Sequence, residues 1–167
     1  MWRYHHTQRG FSLVEILLAT TVLGVVAALA APNMREWSRN YNLKSATTNL
    51  YSHMQVARLG AVKDNQPWTV NFNPGGTIGY EVRNSANKAV KTVDFRQQYN
   101  KEIQFSNPTS TTQFDTAVLT FNPNGTSNTG FAYLSSKSKA SYYRIGLQLA
   151  NGTVKIQRWD ASSSQWK

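Results

Sequence analysis

The residues able to do chemistry are few, and most stand near the start of the chain. Glu15 is the only charge in an apolar run over 11–31. A carboxylate that deep in an apolar segment costs a few kcal/mol or more unless a cation meets it, which marks it as functional. Far downstream, Lys155, Arg158 and Trp159 place two cations and an aromatic ring within five residues. That combination suits phosphate contact and base stacking. Of the three histidines, His5 and His6 lie before the apolar run, leaving His53, and cysteine is absent. A lone histidine on an amphipathic helix is a surface or packing residue, so no transition-metal site is expected. There is no nucleophile elbow, no phosphate-cradling glycine loop and no conspicuous carboxylate pair. Neither an enzyme nor a cofactor is expected.

The element that must position Glu15 is a helix. At about 1.5 Å per residue the 21 residues of 11–31 span about 32 Å, enough to cross a hydrocarbon core of about 30 Å. Leu, Ala, Val and Ile dominate it, and Thr20, Thr21 and Gly24 let a neighbouring backbone approach. A secretory signal is one reading, with Ala28-Leu29-Ala30 as its cleavage site, but an h-region is shorter and seldom carries an acid near its start. A plain anchor is a second reading, and it gives Glu15 no purpose.

Gly10-Phe11-Ser12-Leu13-Val14-Glu15, followed by an apolar helix reaching Pro32, supplies a third: it resembles the class III leader and first helical segment of type IV prepilins and pseudopilins. The resemblance implies cutting by a prepilin peptidase between Gly10 and Phe11, and methylation of the new Phe11 amino group. It also implies that Glu15 pairs with the Phe11 ammonium of a neighbouring subunit and sets the register of assembly. Two opposite charges in an apolar bundle are tolerable together and costly apart. Pro32 falls where many pilins have a kinking proline, and a local bend or melt is expected there.

The pattern stays helical over 32–62. Leu43, Ala46, Leu50, Met54, Ala57 and Ala61 recur every three or four residues, making one apolar face of a water-exposed helix. Trp37 and Tyr41, with Arg35 and Arg39 beside them, suit a membrane interface. Beyond it, strands are predicted over 68–72, 78–83, 89–95, 103–105, 117–121, 130–133, 142–149 and 154–159. Asn73-Pro74-Gly75-Gly76 and Asn122-Pro123-Asn124-Gly125 read as turns, and Asn151-Gly152 as a two-residue hairpin. The tail over 160–167 is polar and expected to be loose. The fold class is therefore α+β, one long N-terminal helix on an antiparallel β-sheet domain. It divides into a leader over 1–10, a transmembrane and assembly helix over 11–31, an amphipathic continuation over 32–62, and a β-rich domain over 63–167.

Within the pilins the resemblance is to the GspH/FimT type of minor pilin and pseudopilin. It is carried by Ala57-Arg58-Leu59-Gly60-Ala61-Val62, Val70-Asn71-Phe72, Leu119-Thr120-Phe121-Asn122-Pro123-Asn124-Gly125-Thr126, and Tyr143-Arg144-Ile145-Gly146-Leu147 before Asn151-Gly152. It implies a structural subunit of a type IV pilus or type II secretion pseudopilus. Such a subunit is held in the bacterial inner membrane by a single span, its domain on the periplasmic or extracellular side. Other pilins, prepilin peptidase and the membrane are the implied partners.

The chain carries a net charge of +10, and without Arg3 and Arg9 it keeps 16 basic and 8 acidic side chains, or +8. That balance either keeps an exported domain soluble or favours polyanions. Some FimT-like minor pilins bind DNA through a glycine followed by closely spaced arginines near the C-terminus. Here the place holds Gly152, Lys155, Arg158 and Trp159, without the paired arginines. A DNA-binding pilin, with Lys137, Lys139 and Lys167 assisting, and a major filament subunit both remain as alternatives.

Overall fold

The computed structural model of the protein describes residues 10–148 and 150–167, with 30–33 described by backbone alone. The leader residues Arg3, His5, His6 and Arg9 lie outside the described residues. The chain divides into two units, Met1–Ser38 and Arg39–Lys167.

Helix α1 runs over Leu13–Asp64. Ser12 starts it: its hydroxyl accepts from the Glu15 backbone N–H at 3.3 Å and its carbonyl from Ile16 N–H at 3.2 Å. Ser12 and Glu15 stand three apart, as in a capping box, and the carboxylate favours the positive end of the helix dipole. The backbone stays helical through position 32, so the melt expected at Pro32 is not found. The proline side chain lies outside the described residues.

In the second unit, the predicted apolar face of α1 is buried: Leu43, Leu50, Met54, Ala57 and Ala61 are fully inaccessible. Each buried Leu or Met contributes about 1.5–3 kcal/mol, which is what holds this half of the helix to the strands. Two antiparallel sheets receive it. The first is ordered β3-β2-β1-β5, from β1 (Trp68–Phe72), β2 (Gly79–Arg83), β3 (Ala89–Asp94) and β5 (Val118–Phe121). The second is ordered β4-β6-β7-β8-β9, from β4 (Ile103–Phe105), β6 (Gly130–Ser136), β7 (Tyr142–Leu147), β8 (Val154–Asp160) and β9 (Gln165–Trp166).

Residues 113–117 stitch the sheets together. Asp115 N–H donates to Phe131 O at 2.8 Å on one side, and Phe72 N–H donates to Ala117 O at 2.9 Å on the other. There Phe72, Phe95, Phe105 and Phe114 pack edge-on, tilted and stacked, with centroids 5.3–6.0 Å apart. A residue's side alternates along a strand, so β6 and β7 turn Ala132, Leu134, Ile145 and Leu147 to this core.

Three expectations are corrected. The tail is ordered: β9 pairs Trp159 with Trp166, and Arg158 and Lys167 exchange backbone hydrogen bonds of 2.7 and 2.9 Å. The Asn151-Gly152 turn is not a two-residue hairpin, because the ladder closes at Leu147 opposite Val154, leaving a connection over 148–153. Arg58 draws that connection toward α1, donating to Gly125 O at 3.3 Å and Asn151 O at 3.5 Å. Gly152, at φ +72, lies against Gly125 O, where a Cβ would collide. Lastly, the third strand ends at Asp94, whose carboxylate accepts from Arg96 N–H at 2.8 Å and opens a one-turn helix, α2 (Phe95–Gln98), in the stretch read as strand end and irregular chain.

Candidate assembly helix and C-terminal strand face

The sequence-predicted residues of the first unit lie on, or just before, the half of α1 whose described side chains are all exposed. Eleven large apolar side chains between Phe11 and Leu29 are each 55–79% exposed. An 18-residue window of α1 reaches a mean hydropathy of 2.3 and is wholly unburied. Monomeric proteins rarely leave contiguous apolar patches beyond a few hundred Å² in water, so lipid or other helices must cover this one. By length and composition α1 can cross a membrane once. The two threonine hydroxyls of its apolar half are already satisfied within the helix: that of Thr20 donates to Ile16 O at 2.9 Å, and that of Thr21 to Leu17 O at 2.7 Å. At Gly24 nothing among the described residues, beyond the helix's own backbone and the flanking residues, lies within 4 Å of where a side chain would begin, which leaves a notch for another backbone. Gly10 and Phe11 precede the first turn, both exposed, and Glu15 lies in that turn. The capping by Ser12 was legible as Ser-x-x-Glu and is an addition to the sequence reading.

On β8 the strand alternation separates the candidate basic residues. Lys155, opposite Gly146, shares one face with Gln157 and Trp159, while Arg158, opposite Tyr143, belongs to the other. The structure therefore brings Lys155 and Trp159 to one side of the strand and turns Arg158 to the other, away from Lys155. Arg158 and Trp159 line an open cleft of about 440 Å³ with Asp160 and Lys167. Lys167 is bound to Asp160, and with the Ser162 hydroxyl it holds that carboxyl well below the usual carboxylate range. Lys167 is thus compensated, and Arg158 is the cleft's free cation among the described residues.

The Lys155–Trp159 face carries a feature that single-residue reasoning missed. The Arg144 guanidinium lies 4.5 Å from the Phe131 ring centroid and 5.0 Å from that of Trp166. Its Nε donates to Gln157 Oε1 at 2.9 Å. Trp166 in turn meets Trp159 at 5.2 Å and Tyr133 at 5.6 Å. Alternation along the predicted strands could have grouped Phe131, Tyr133 and Arg144, but only the docked tail completes the stack.

A long helix with a bare apolar first half, and two antiparallel sheets packed on its second half, defines the type IV pilin class of protein. The family model described as Type II transport protein GspH matches residues 46–158, and that for the prokaryotic N-terminal methylation motif matches residues 5–31. The chain belongs to the GspH family within the type IV pilin superfamily. It is similar to the Type IV major pilin protein PilA of Myxococcus xanthus (strain DK1622), at 24% identity over 139 residues, 74% of this chain and 63% of the relative. The chain so spans less than two thirds of that curated relative's length. Two crystal structures of the type IV minor pilin FimU of Pseudomonas aeruginosa (strain PAO1) share the fold, each with a TM-score of 0.51 at 17% identity. They cover 75% and 78% of this chain and 97% and 96% of their own.

Proposed function

We propose that the protein is a structural subunit, made as a prepilin and assembled through α1 into a type IV pilus or type II secretion pseudopilus as a minor component. One observation carries the reading. The exposed apolar half of α1 holds a single acid, Glu15, in a segment that matches the N-terminal methylation motif. Prepilin peptidase cuts between Gly10 and Phe11 and methylates the Phe11 amino group. The apolar half first anchors the protein in the inner membrane, with the domain over 63–167 outside, and then packs among neighbouring helices in the filament. There Glu15 meets the Phe11 ammonium of the next subunit, and 32–62 joins the assembly segment to the domain. The role asks no catalysis of the chain.

Glu15→Val tests it in cells making the filament. The variant should be cut to an N-methylated Phe11, read by mass spectrometry, and should enter sheared filaments at least tenfold less than the parent. Normal incorporation would remove the register role. An uncut product with Gly10 intact in the parent chain would remove the prepilin reading altogether. Copy number in sheared filaments separates a minor from a major subunit. DNA contact is not part of the proposal, because Lys155 and Arg158 face opposite sides of β8.

A further inference from the structure

Away from both of these regions, three cations from three elements line one cleft. Arg96 of α2, Lys101 before β4 and Lys137 after β6 surround an opening of about 270 Å³, with Gln104 at its side and Ile78 and Ile103 as apolar lining. No acid lines it. The two nearest in sequence are engaged elsewhere: Glu102 pairs with Arg39 of α1 at 3.2 Å, and Asp94 caps α2 through Arg96 N–H. Among the described residues, no carboxylate forms an ion pair with Arg96, Lys101 or Lys137.

The grouping is built by backbone bonds and is not a chance of long side chains. Lys101 N–H donates to Arg96 O at 3.2 Å, and Lys137 N–H donates to Glu102 O at 2.8 Å. Asn100 and Lys101 take left-handed φ values of 49 and 61 in succession, a conformation uncommon outside glycine. Non-glycine residues pay for that conformation only where the surroundings impose it, and here it turns Lys101 back beside Arg96. Three like charges gathered without a counter-ion repel one another, which a bound anion would reverse.

We propose that this cleft binds a tetrahedral oxyanion of the phosphate class, as free phosphate or as a small phosphomonoester. The guanidinium of Arg96 offers a planar fork that matches two phosphate oxygens, the two ammonium groups add point charges, and the Gln104 amide adds a neutral donor. A single carboxylate would leave most of the positive charge unmatched, whereas a dianion uses it. The volume is below the usual range for drug-sized ligands and suits a group no larger than a sugar phosphate. The inference is independent of the assembly role of α1.

The test uses the full chain in an uncharged detergent at pH 7.5, with backbone amide NMR shifts followed during titration. Inorganic phosphate and glycerol 3-phosphate form two arms, and sodium chloride at matched ionic strength is the control. Saturable shifts confined to 96–104 and 136–138, weakened at least tenfold in Arg96→Gln/Lys101→Gln/Lys137→Gln, are expected. Lys44→Gln/Lys63→Gln/Lys88→Gln, with the same charge removed elsewhere, should bind as the parent does. Tighter binding in the ester arm identifies a phosphomonoester, and equal binding identifies phosphate itself. Shifts equal to those with chloride, or unchanged in the cleft variant, overturn the site. If the triple variant loses its dispersed spectrum, Lys137→Gln alone, on an exposed turn, should still weaken binding severalfold, and no weakening there overturns it equally.

Discussion

The guanidinium of Arg144 is held against the indole of Trp166, its carbon 5.0 Å from the ring centroid, although the two stand 22 positions apart in the chain. The contact lies on the side of the second sheet facing away from α1. It turns what would be a solvated strand face into a small second core, in which Phe131 and Tyr133 are buried. Tyr133 gains a hydrogen bond there from its hydroxyl to Asp115 Oδ1 at 3.0 Å, and burial with that bond pushes the phenol pKa up. The tail is therefore part of the fold.

Trp166→Ala should measure that contribution. It removes one cation–π contact of about 0.5–1 kcal/mol and two aromatic contacts of about 0.5–1.5 kcal/mol each, at a half-buried site. Urea unfolding of the unit Arg39–Lys167 should show a loss of about 2 kcal/mol with an unchanged m-value. A change below about 0.5 kcal/mol, within the range of ordinary surface substitutions, would mean the tail is not docked in solution.

Gly60 and Trp68 make a second close pair. The indole lies across the helix at Gly60, where a Cβ would come within 2.6 Å of ring atoms, and its Nε1 donates to Asp64 Oδ2 at 2.9 Å. This contact fixes where α1 hands over to β1. A side chain at 60 must lift the indole off. Gly60→Val should cost about 1–3 kcal/mol of stability despite the better helix propensity of valine. Gly60→Val with Trp68→Ala should recover part of that loss, and strict additivity of the two would discard the explanation.

Asn128 closes the open edge of β5. Its Oδ1 accepts from Thr120 N–H at 2.7 Å, its Nδ2 donates to Val118 O at 2.9 Å, and its own N–H donates to Thr120 O at 3.3 Å. One amide side chain so does the work of a neighbouring strand on an edge that would otherwise expose unpaired backbone. Asn128→Ala should lose about 1–3 kcal/mol, since two side-chain bonds go. Asn128→Asp keeps the acceptor and loses the donor, and should fall between parent and alanine. Faster amide exchange at Thr120 in Asn128→Ala is the accompanying signal.

Much of this was legible in the chain. The apolar face from Leu43 to Ala61 was read from spacing alone because a helix packed on sheets must present one stripe to them. Strands 68–72 and 103–105 were read to the residue, since Trp68 and Ile103 each follow a polar break. What failed was non-local. The tail reads as polar because Asp160, Ser162, Ser163 and Ser164 form a turn, and only its pairing to β8 shows that Trp159 and Trp166 meet. The hairpin at Asn151-Gly152 obeyed local turn statistics, yet Arg58 of α1 pulls the connection into a longer loop. At the candidate basic site, spacing of three between Lys155 and Arg158 would be one face of a helix but is two faces of a strand.

His53 gives the pH dependence. Its Nδ1 shares a hydrogen bond of 2.7 Å with the Tyr80 hydroxyl, and the rings tilt together at 5.7 Å. Burial, and then the nearby charge of Lys91, lower the imidazole pKa, while burial keeps the Tyr80 phenol protonated far above neutrality. The neutral ring is therefore the form that the fold prefers. Between the folded pKa and the unfolded value of 6.5, the unfolded chain binds more protons, so stability rises with pH across that window. The contribution is complete above 6.5 and is lost as pH falls toward the folded pKa. Urea midpoints of Arg39–Lys167 measured from pH 7.5 down to 5.5 should therefore decline. His53→Gln, which keeps a polar group near Tyr80 and cannot titrate, should flatten the profile over that range, even where its stability at pH 7.5 is lower. An equal slope in both proteins would assign the decline to other groups.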